Sequence, residues 1–354
     1  SYWSQYQIVA CHRSIGPDFD KANELIKKLT ENGIITIVDI DDYWMPGKEH
    51  PIHDIIKVHK INEKIVENLK VAKYITTTTS IFADEIRKLN KNVVVFPNAI
   101  NPNESQFKEP TLESDRLRIG WLGGSSHLHD IQLLDQGLGK ITSLKDKLQF
   151  VLCGFDTRGT VTEINAQTGE QNKRNILPHE TVWAQYEKIF TNDYKSLSPE
   201  YSKFLLTFKD EKYSDENEPY RRRWTKDINT YATNYNTFDV SLAPLVDSVF
   251  NANKSQLKVI EAGFYKKAII ASNVGPYTVD LKHAMKNGEF TDGNALLVDE
   301  HKNHSDWAKN IKKLVENPNM ITDLGERLYE TVKDKYHLNV VTKTRAEFYK
   351  SLIK

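Results

Sequence analysis

The chain of 354 residues carries 48 Lys and Arg against 48 Asp and Glu, so its formal net charge at neutral pH is zero. This balance argues against nucleic acid as the main partner, because phosphate binding needs a surplus of positive charge. The length favours two domains, since single hydrophobic cores rarely grow beyond about 300 residues. Cys11 and Cys153 form neither a metal-binding nor a disulfide pattern, as is expected of a protein in the reducing cytoplasm.

The first hundred residues alternate between strand-like and helix-like segments, which predicts βαβ architecture. The predicted elements are a strand at residues 8–11, a helix at 19–29, a strand at 34–40, a helix at 55–69, a strand at 74–78, a helix at 81–89 and a strand at 93–96. Because the first residue is Ser1 and a strand follows within a few positions, we expect that the natural chain begins earlier and that this N-terminal domain is incomplete.

A second alternating series follows a polar stretch at 101–115, which contains two prolines and is interpreted as a linker. Its predicted elements are a strand at 118–122, a loop at 123–126, a helix at 131–144, a strand at 150–153, a strand at 240–242, a helix at 254–264 and strands at 268–271 and 295–298. Residues 155–236 are polar and aromatic and break the alternation, so we interpret them as an insertion.

The whole pattern predicts an α/β fold of two Rossmann-like, doubly wound domains that face each other across a cleft. The first domain comprises residues 1–100, and the second comprises residues 101–337 with the insertion at 155–236. A helical tail at 338–354 is expected to pack back on the first domain.

The helix predicted at 254–264 carries the strongest functional signal. Lys254, Lys258 and Glu261 lie at positions i, i+4 and i+7 and share one face, and Asn253 with Gln256 forms a plausible capping pair at the helix start. Such a helix start at the carboxyl edge of a parallel sheet attracts anions. The lysines could bind a diphosphate and the carboxylate could hold ribose hydroxyls. Spacing alone supports equally well a solvated face of ion-paired charges.

Three segments together resemble motifs of the family 4 glycosyltransferases of the GT-B type, particularly a bacterial surface-polysaccharide branch. Residues 254–277 are similar to its pattern KSxLKxxEA followed by IAS and GPY. Residues 95–100 are similar to the IPNGID motif at the end of the first domain, and residues 118–130 to the GWxGxxxHxxDL motif that opens the second. The resemblance spans nearly the whole chain, apart from the insertion.

The resemblance implies a hexosyltransferase-like enzyme that needs no cofactor and binds a nucleotide sugar in the second domain. In this family two glutamates frame seven residues, and the second contacts the ribose. The second matches Glu261, whereas Asn253 occupies the position of the first. Relatives place an arginine and a lysine where this chain has Gly123 and His129. Donor contacts are therefore expected from Lys254, Ser255, Lys258 and Glu261.

The loop at 123–126 offers a second candidate contact with the donor. It follows a strand, so the backbone N–H groups of Gly123, Gly124 and Ser125 could approach phosphate oxygens. Its glycines do not form the G-x-G-x-x-G pattern of dinucleotide-binding proteins. For His127, capping of the next helix is one interpretation, and we favour a catalytic or donor contact.

Two further clusters are interpreted with their alternatives left open. The basic run at 221–223, with Arg222 at its centre, is either a lid that clamps phosphates or an exposed loop that contacts anionic lipid. Asp41 and Asp42 follow a predicted strand and superficially match the D-x-D metal motif of the other large transferase fold. They are expected to line the cleft and orient the acceptor hydroxyl, or else to cap the next loop. His50 is more typical of a surface loop.

The sequence therefore favours a cytoplasmic, metal-independent glycosyltransferase in surface polysaccharide synthesis, and the resemblance implies retention of anomeric configuration. Its acceptor is expected to be a saccharide or a lipid-linked saccharide, which is compatible with peripheral contact at the inner face of the membrane. Two alternatives remain open. One is a nucleotide-sugar epimerase of the same architecture, and the other is a non-catalytic subunit that binds a nucleotide sugar.

Overall fold

The computed structural model describes residues 2–135, 137–154, 160–165, 167–177, 180–192, 198–205, 218–224, 226–299 and 305–353. Its first sheet consists of four parallel strands in sequential order, β1 (Ile8–His12), β2 (Ile35–Ile40), β3 (Tyr74–Thr77) and β4 (Val93–Val95). The central strands β2 and β3 are largely buried on both faces, as parallel strands covered by helices require. The edge strands β1 and β4 are only partly buried.

Four helices accompany this sheet, namely α1 (Phe19–Glu31), α2 (His53–Val58), α3 (Ile61–Val71) and α4 (Ser80–Arg87). The side chain of Asp18 caps α1 by accepting a hydrogen bond from the N–H of Lys21 at 3.2 Å. The single helix predicted at 55–69 is wrong. The chain leaves the helical conformation at Lys60, whose φ is +52°, and α2 and α3 are therefore separate helices.

The second sheet has six parallel strands in the order β14-β11-β10-β5-β6-β9. Its strands are β5 (Leu117–Leu122), β6 (Leu148–Gly154), β9 (Tyr220–Trp224), β10 (Val240–Ala243), β11 (Ala268–Ser272) and β14 (Leu296–Val298). Two antiparallel hairpins lie outside this sheet, β7 (Thr160–Ile164) with β8 (Gln171–Asn175) and β12 (Met285–Lys286) with β13 (Glu289–Phe290). The strand order reverses between β5 and β10, which is the switch point where doubly wound sheets bind ligands.

The segment at 155–236 is part of the second domain's own sheet, because it supplies the edge strand β9. It is therefore not a separate insertion. The run at 221–223 is therefore a strand paired with residues 151–153 of β6, and the prediction of a loop is wrong. Within the predicted insertion, residues 155–159, 166, 178–179, 193–197, 206–217 and 225 lie outside the described residues.

The helices of the second half are shorter than the sequence suggests. They are α5 (Leu128–Ile131), α6 (Val182–Thr191), α7 (Pro199–Leu205), α8 (Val249–Ala252), α9 (Leu257–Phe264), α10 (Ser305–Glu316), α11 (Asn319–Val332) and α12 (Leu338–Leu352). The helix predicted at 131–144 is replaced by α5 and two 3₁₀ segments, because Gly137 and Gly139 interrupt it. The predicted capping pair is also wrong, since the Asn253 side chain donates to the carbonyl of Val249 at 2.8 Å and ends α8 instead.

The chain crosses between the two sheets twice, and the crossings run side by side. The N–H of Ile100 donates to the carbonyl of Tyr336 at 2.9 Å, and the N–H of Leu338 donates to the carbonyl of Ile100 at 2.8 Å. Beyond this point α12 lies against the first sheet, where the ring of Phe348 is 5.6 Å from that of Tyr74. The domain boundaries near residues 100 and 337 remain predictions. No helix in the described ranges is long and apolar enough to cross a membrane.

Candidate functional site

A cleft of about 670 Å³ opens at the switch point of the second sheet. The loop after β5 and the segment after β10 form two of its walls, and the loop after β2 of the first sheet closes the opposite side. The residues that line it include Asp42, His50, Gly123, Ser126, His127, Gly154, Lys226, Tyr231, Phe250, Lys254, Ser255, Lys258 and Glu261. Seven of the predicted site residues therefore share one cavity: Asp42, Gly123, His127, Lys254, Ser255, Lys258 and Glu261.

Lys258 lies in the first turn of α9, at the floor of the cleft. Its ammonium group donates to the carbonyl oxygen of Leu122 and lies 5.1 Å from the centre of the Trp121 ring. Burial lowers the pKa of Lys258 to about 8, although the nearby Glu261 carboxylate opposes this shift. A buried ammonium held at the end of β5 is suited to neutralising an anionic ligand.

Glu261 lies one turn further along the same helix face and is 4% exposed. Its carboxylate accepts hydrogen bonds from the hydroxyl of Tyr231 and, at 3.0 Å, from the hydroxyl of Tyr235. Burial raises the pKa of Glu261, and the hydrogen bond from Tyr231 and the charge of Lys258 oppose that effect. The tyrosines orient the carboxylate and leave lone pairs that can accept from ligand hydroxyls.

Two glycines allow the backbone to approach closely at the bottom of the cleft. A Cβ atom on Gly123 would lie 2.4 Å from the Trp121 ring, and one on Gly154 would lie 1.9 Å from the carbonyl oxygen of Gly123. Gly154 also has a φ of +150°, which other residues rarely adopt. The backbone at these two positions is therefore packed too closely against its neighbours to accommodate a side chain.

The loop after β5 is fixed by residues that the sequence did not single out. The hydroxyl of Tyr186 accepts from the N–H of His127 at 3.0 Å and donates to the carbonyl of Gly124 at 3.1 Å. Asp130 lies 2.8 Å from Nδ1 of His127 and accepts from the N–H of Val246 at 2.9 Å. These bonds join the loops after β5 and β10 into one rigid wall.

His127 is neutral in this setting. Burial lowers its pKa to about 4, although the hydrogen bond to Asp130 partly opposes the shift. Burial alone would raise the pKa of Asp130, but the contact with His127 brings it below its ordinary value. The histidine therefore faces the cleft as an uncharged imidazole.

The first sheet contributes Asp42 and His50 to the opposite wall. Burial and the neighbouring Asp41 raise the pKa of Asp42, and the charge of Lys254 across the cleft opposes them. The His50 ring lies 5.4 Å from that of Phe250 on α8, so the two walls meet here. His50 is a half-exposed loop residue, and it also lines the cleft.

Asp41 is directed toward its own sheet, where it accepts from Arg13 at 2.7 Å and lies 3.0 Å from His12. Burial would raise the pKa of Asp41, and the hydrogen bonds from Arg13 and His12 bring it below its ordinary value. Arg13 also lies 3.6 Å from Asp42, so the two neighbouring carboxylates share this cation. Of the two, Asp42 is the one that lines the cleft.

Arg222 lies in β9 and is not among the residues that line the cleft. Its guanidinium is 3.3 Å from the carboxylate of Glu187, and the two side chains are 4% and 2% exposed. It also lies 5.4 Å from the ring centre of Trp183 and 5.2 Å from that of Trp224. A lid that reaches bound phosphates is not compatible with this burial, so that interpretation of Arg222 is wrong.

Gly124 and Ser125 belong to the same loop as Gly123 but are not among the residues that line the cavity. Tyr186, Tyr231, Tyr235 and Asp130 are the supporting residues that sequence reasoning missed. Within the described part of the chain, no three His, Cys, Asp or Glu side chains converge as a metal site requires.

Comparison with solved structures identifies the fold. A sucrose-phosphate synthase from Thermosynechococcus elongatus superposes with a TM-score of 0.62 at 14% identity, covering 99% of this chain and 75% of that chain. The Anabaena HepE protein in complex with UDP and glucose gives 0.61 at 9% identity, covering 98% and 78%. A UDP-forming α,α-trehalose-phosphate synthase from Burkholderia vietnamiensis gives 0.59 at 11% identity, covering 97% and 72%.

These neighbours are GT-B proteins, and the similarity runs over both domains and the crossing between them. The predicted α/β fold of two Rossmann-like domains is therefore confirmed. No family model matches the sequence. No curated protein matches it either.

Proposed function

We propose that this protein is a glycosyltransferase that moves a sugar from a nucleotide-sugar donor to a saccharide or lipid-linked acceptor. The observation that carries the proposal is the pair of buried groups on one face of α9. Lys258 and Glu261 meet Gly123 at the switch point of the second sheet, inside a cleft closed by the first sheet. The ammonium group and the glycine backbone are suited to bind a diphosphate, and the carboxylate is suited to bind a ribose.

In this proposal the second domain binds the donor. Lys254 and Lys258 neutralise the diphosphate, Ser255 and the loop at Gly123–Ser125 add polar contacts, and Glu261 accepts from the ribose hydroxyls. The lysines stabilise the charge that develops on the departing diphosphate, which lowers the barrier without an essential metal ion. The similarity in fold to a protein crystallised with UDP and glucose supports a nucleotide sugar as the donor.

The first domain presents the acceptor. Asp42 lies across the cleft from Lys254 and is placed to orient the acceptor hydroxyl, while His127 contacts the donor sugar. In this proposal Asp41 binds Arg13 and so stabilises the wall that the first domain contributes, and it does not contact the acceptor directly. Membership of family 4, retention of configuration and a role in surface polysaccharide synthesis rest on the sequence motifs at 95–100, 118–130 and 254–277.

Isothermal titration of UDP, GDP and ADP against the wild type and Glu261→Gln, without metal, tests the donor site. We expect one nucleotide to bind, and its affinity to fall about 10- to 100-fold in Glu261→Gln, since hydrogen bonds to a charged group contribute about 1.5–3 kcal/mol. Glu326→Gln is the matched control. Glu326 lies on α11 and forms an exposed ion pair with Lys266. Failure of the folded wild type to bind any nucleotide would refute the donor site.

Product analysis with the donor that binds then tests the reaction. Transfer to a saccharide acceptor is expected, with little turnover when the donor is supplied alone. Conversion of the donor sugar without an acceptor would identify an epimerase. Tight binding with no turnover under any acceptor condition would identify a binding subunit.

A further inference from the structure

Both segments that cross between the domains contact the residues that precede α9. The amide of Asn98, at the end of the first domain, donates to the hydroxyl of Ser255 at 2.9 Å. The amide of Gln256 donates to the hydroxyl of Tyr336, on the returning segment, at 2.8 Å. Two consecutive residues at the start of the candidate donor helix are therefore held by the interdomain crossing.

The hydroxyl of Tyr336 has a defined direction. It donates to Asp280 at 2.5 Å, and the same carboxylate is paired with Lys335 at 2.7 Å. A phenol has one proton to donate, so Tyr336 must accept from Gln256, and this fixes which end of the Gln256 amide faces it. Gln256 is 2% exposed, so water does not compete for these bonds.

The backbone of Tyr336 is tied to the first domain. Its carbonyl accepts from Ile100 at 2.9 Å, and α12 starts two residues later. Phe348 on α12 packs against Tyr74 of β3 and against Phe96, which follows β4, with ring centres 5.6 Å apart in both contacts. A shift of the first domain against the second therefore moves Tyr336.

On its other side, Tyr336 reaches the first turn of α9 through Gln256. The carbonyl of Gln256 accepts from the N–H of Val259 at 2.9 Å and of Ile260 at 3.1 Å, so it initiates the helix. Lys258 and Glu261 belong to this turn and the next. A change in the position of Gln256 therefore changes the positions of the Lys258 and Glu261 side chains in the cleft.

We propose that Tyr336 is a positioning residue that links the placement of the first domain to the first turn of α9. The consequence for ligand affinity rests on the proposed function of α9 as the donor site. Closure of the cleft and binding of the nucleotide then favour each other, since coupling between two sites is reciprocal. Removal of the Tyr336 hydroxyl weakens this coupling, because the Gln256 amide then keeps only its longer hydrogen bond to Asp280, at 3.3 Å.

The test compares Tyr336→Phe with Tyr329→Phe in the full chain. Tyr329 lies on α11, and its hydroxyl makes no hydrogen bond within the described residues, so it is a matched control for loss of a phenol oxygen. Amide hydrogen exchange of the ligand-free protein is the first readout. We expect the amides of residues 256–261 to exchange roughly tenfold faster in Tyr336→Phe, with those of the first sheet unchanged. Wild-type exchange in this turn would overturn the proposal.

Titration with the nucleotide that binds the wild type is the second readout. We expect the affinity to fall about 5- to 20-fold in Tyr336→Phe and to be unchanged in Tyr329→Phe. Faster exchange with wild-type affinity would overturn the link to the donor site. If the wild type binds no nucleotide, the proposed function fails, and the exchange experiment still decides the positioning role. Gln256→Met, which removes the same bond from the other side, decides the question if Tyr336→Phe does not fold.

Discussion

The Nδ1 atom of His127 lies 2.8 Å from Oδ2 of Asp130, and this contact determines which imidazole nitrogen faces the cleft. An ionised carboxylate can only accept, so Nδ1 carries the proton of the neutral ring and Nε2 is an acceptor. Hydrogen bonds from Val246 and from Asn251, at 2.9 Å and 3.0 Å, hold the carboxylate in place. His127 is therefore suited to accept from a sugar hydroxyl and unsuited to pair with a diphosphate.

The same histidine makes stability depend on pH. Its pKa is about 4 in the folded protein and about 6.5 in an unfolded chain. Unfolding therefore takes up a proton between these values, so the stability is fully present above pH 6.5 and is lost as the pH falls toward 4. We expect the free energy of unfolding to drop by about 2 kcal/mol between pH 7 and pH 4.5 because of this group. Urea unfolding at several pH values measures it. His127→Gln should remove most of the slope, whereas His59→Gln, at an exposed position, should keep it.

The proposed donor site predicts that nucleotide binding depends on pH in the alkaline range, because of Lys258. Its pKa is about 8, so its charge is lost as the pH rises from 7 to 9. The terminal phosphate is already ionised there, since its second pKa is about 6. We expect the affinity for the nucleoside diphosphate to weaken by about tenfold between pH 7 and pH 9. Titration calorimetry at fixed ionic strength checks this. Lys258→Met should bind weakly at pH 7 with little further change, and a steep pH dependence in that variant would contradict the assignment.

Arg222 is predicted to act on stability and not on nucleotide binding. Loss of one partner of a buried ion pair leaves an uncompensated charge and costs about 3–5 kcal/mol. We therefore expect Arg222→Met to lower the free energy of unfolding by this amount, with Glu187 left buried. Affinity for the nucleotide, measured well below the melting temperature, should stay near that of the wild type. A folded variant with lost affinity would instead favour the phosphate-clamping lid.

Substitution of Gly154 by alanine is expected to destabilise the protein through a steric clash, in addition to the effect of an unfavourable backbone conformation. Gly154→Ala places a Cβ atom 1.9 Å from the carbonyl oxygen of Gly123, whereas Gly288→Ala has a positive φ of +85° and no atom within 4 Å. The control should lose about 1 kcal/mol from its conformation. We expect Gly154→Ala to lose about 2 kcal/mol more and to bind the nucleotide less well, because the strand ends must move apart. Equal thermal stability of the two variants would contradict the packing at the bottom of the cleft.

Periodicity predicted the strands of the two parallel sheets with the exception of β9, because buried parallel strands are continuous apolar runs such as those at 35–40 and 268–272. The shared face of Lys258 and Glu261 was equally visible, since helical spacing alone determines it. The predicted place of Lys254 on that face is wrong, because α9 begins only at Leu257 and Lys254 precedes it. Their convergence on one cavity could not be read from spacing, which supports an exposed charged face just as well. The deciding fact is burial, and burial depends on the strand order.

The strand β9 was missed because three successive arginines carry no apolar signal. Its burial depends on Glu187 and Trp183, which come from another part of the chain, and on Trp224 of the strand itself. The tyrosines that hold Glu261 were missed for a similar reason. Tyr231 and Tyr235 lie in a 3₁₀ segment without recognisable periodicity, and their hydroxyls meet the carboxylate only in the folded protein.

The pairing of Ile100 with His337 as adjacent parallel residues has a consequence for how such a molecule can be built. The chain leaves the first domain and re-enters it at almost the same point, so the 236 residues from 101 to 336 form a single looped-out module. A short peptide could join residue 100 to residue 337 and restore α12 to the first sheet without that module. The architecture therefore permits exchange of residues 101–336 for another domain at a single connection, leaving the first domain intact.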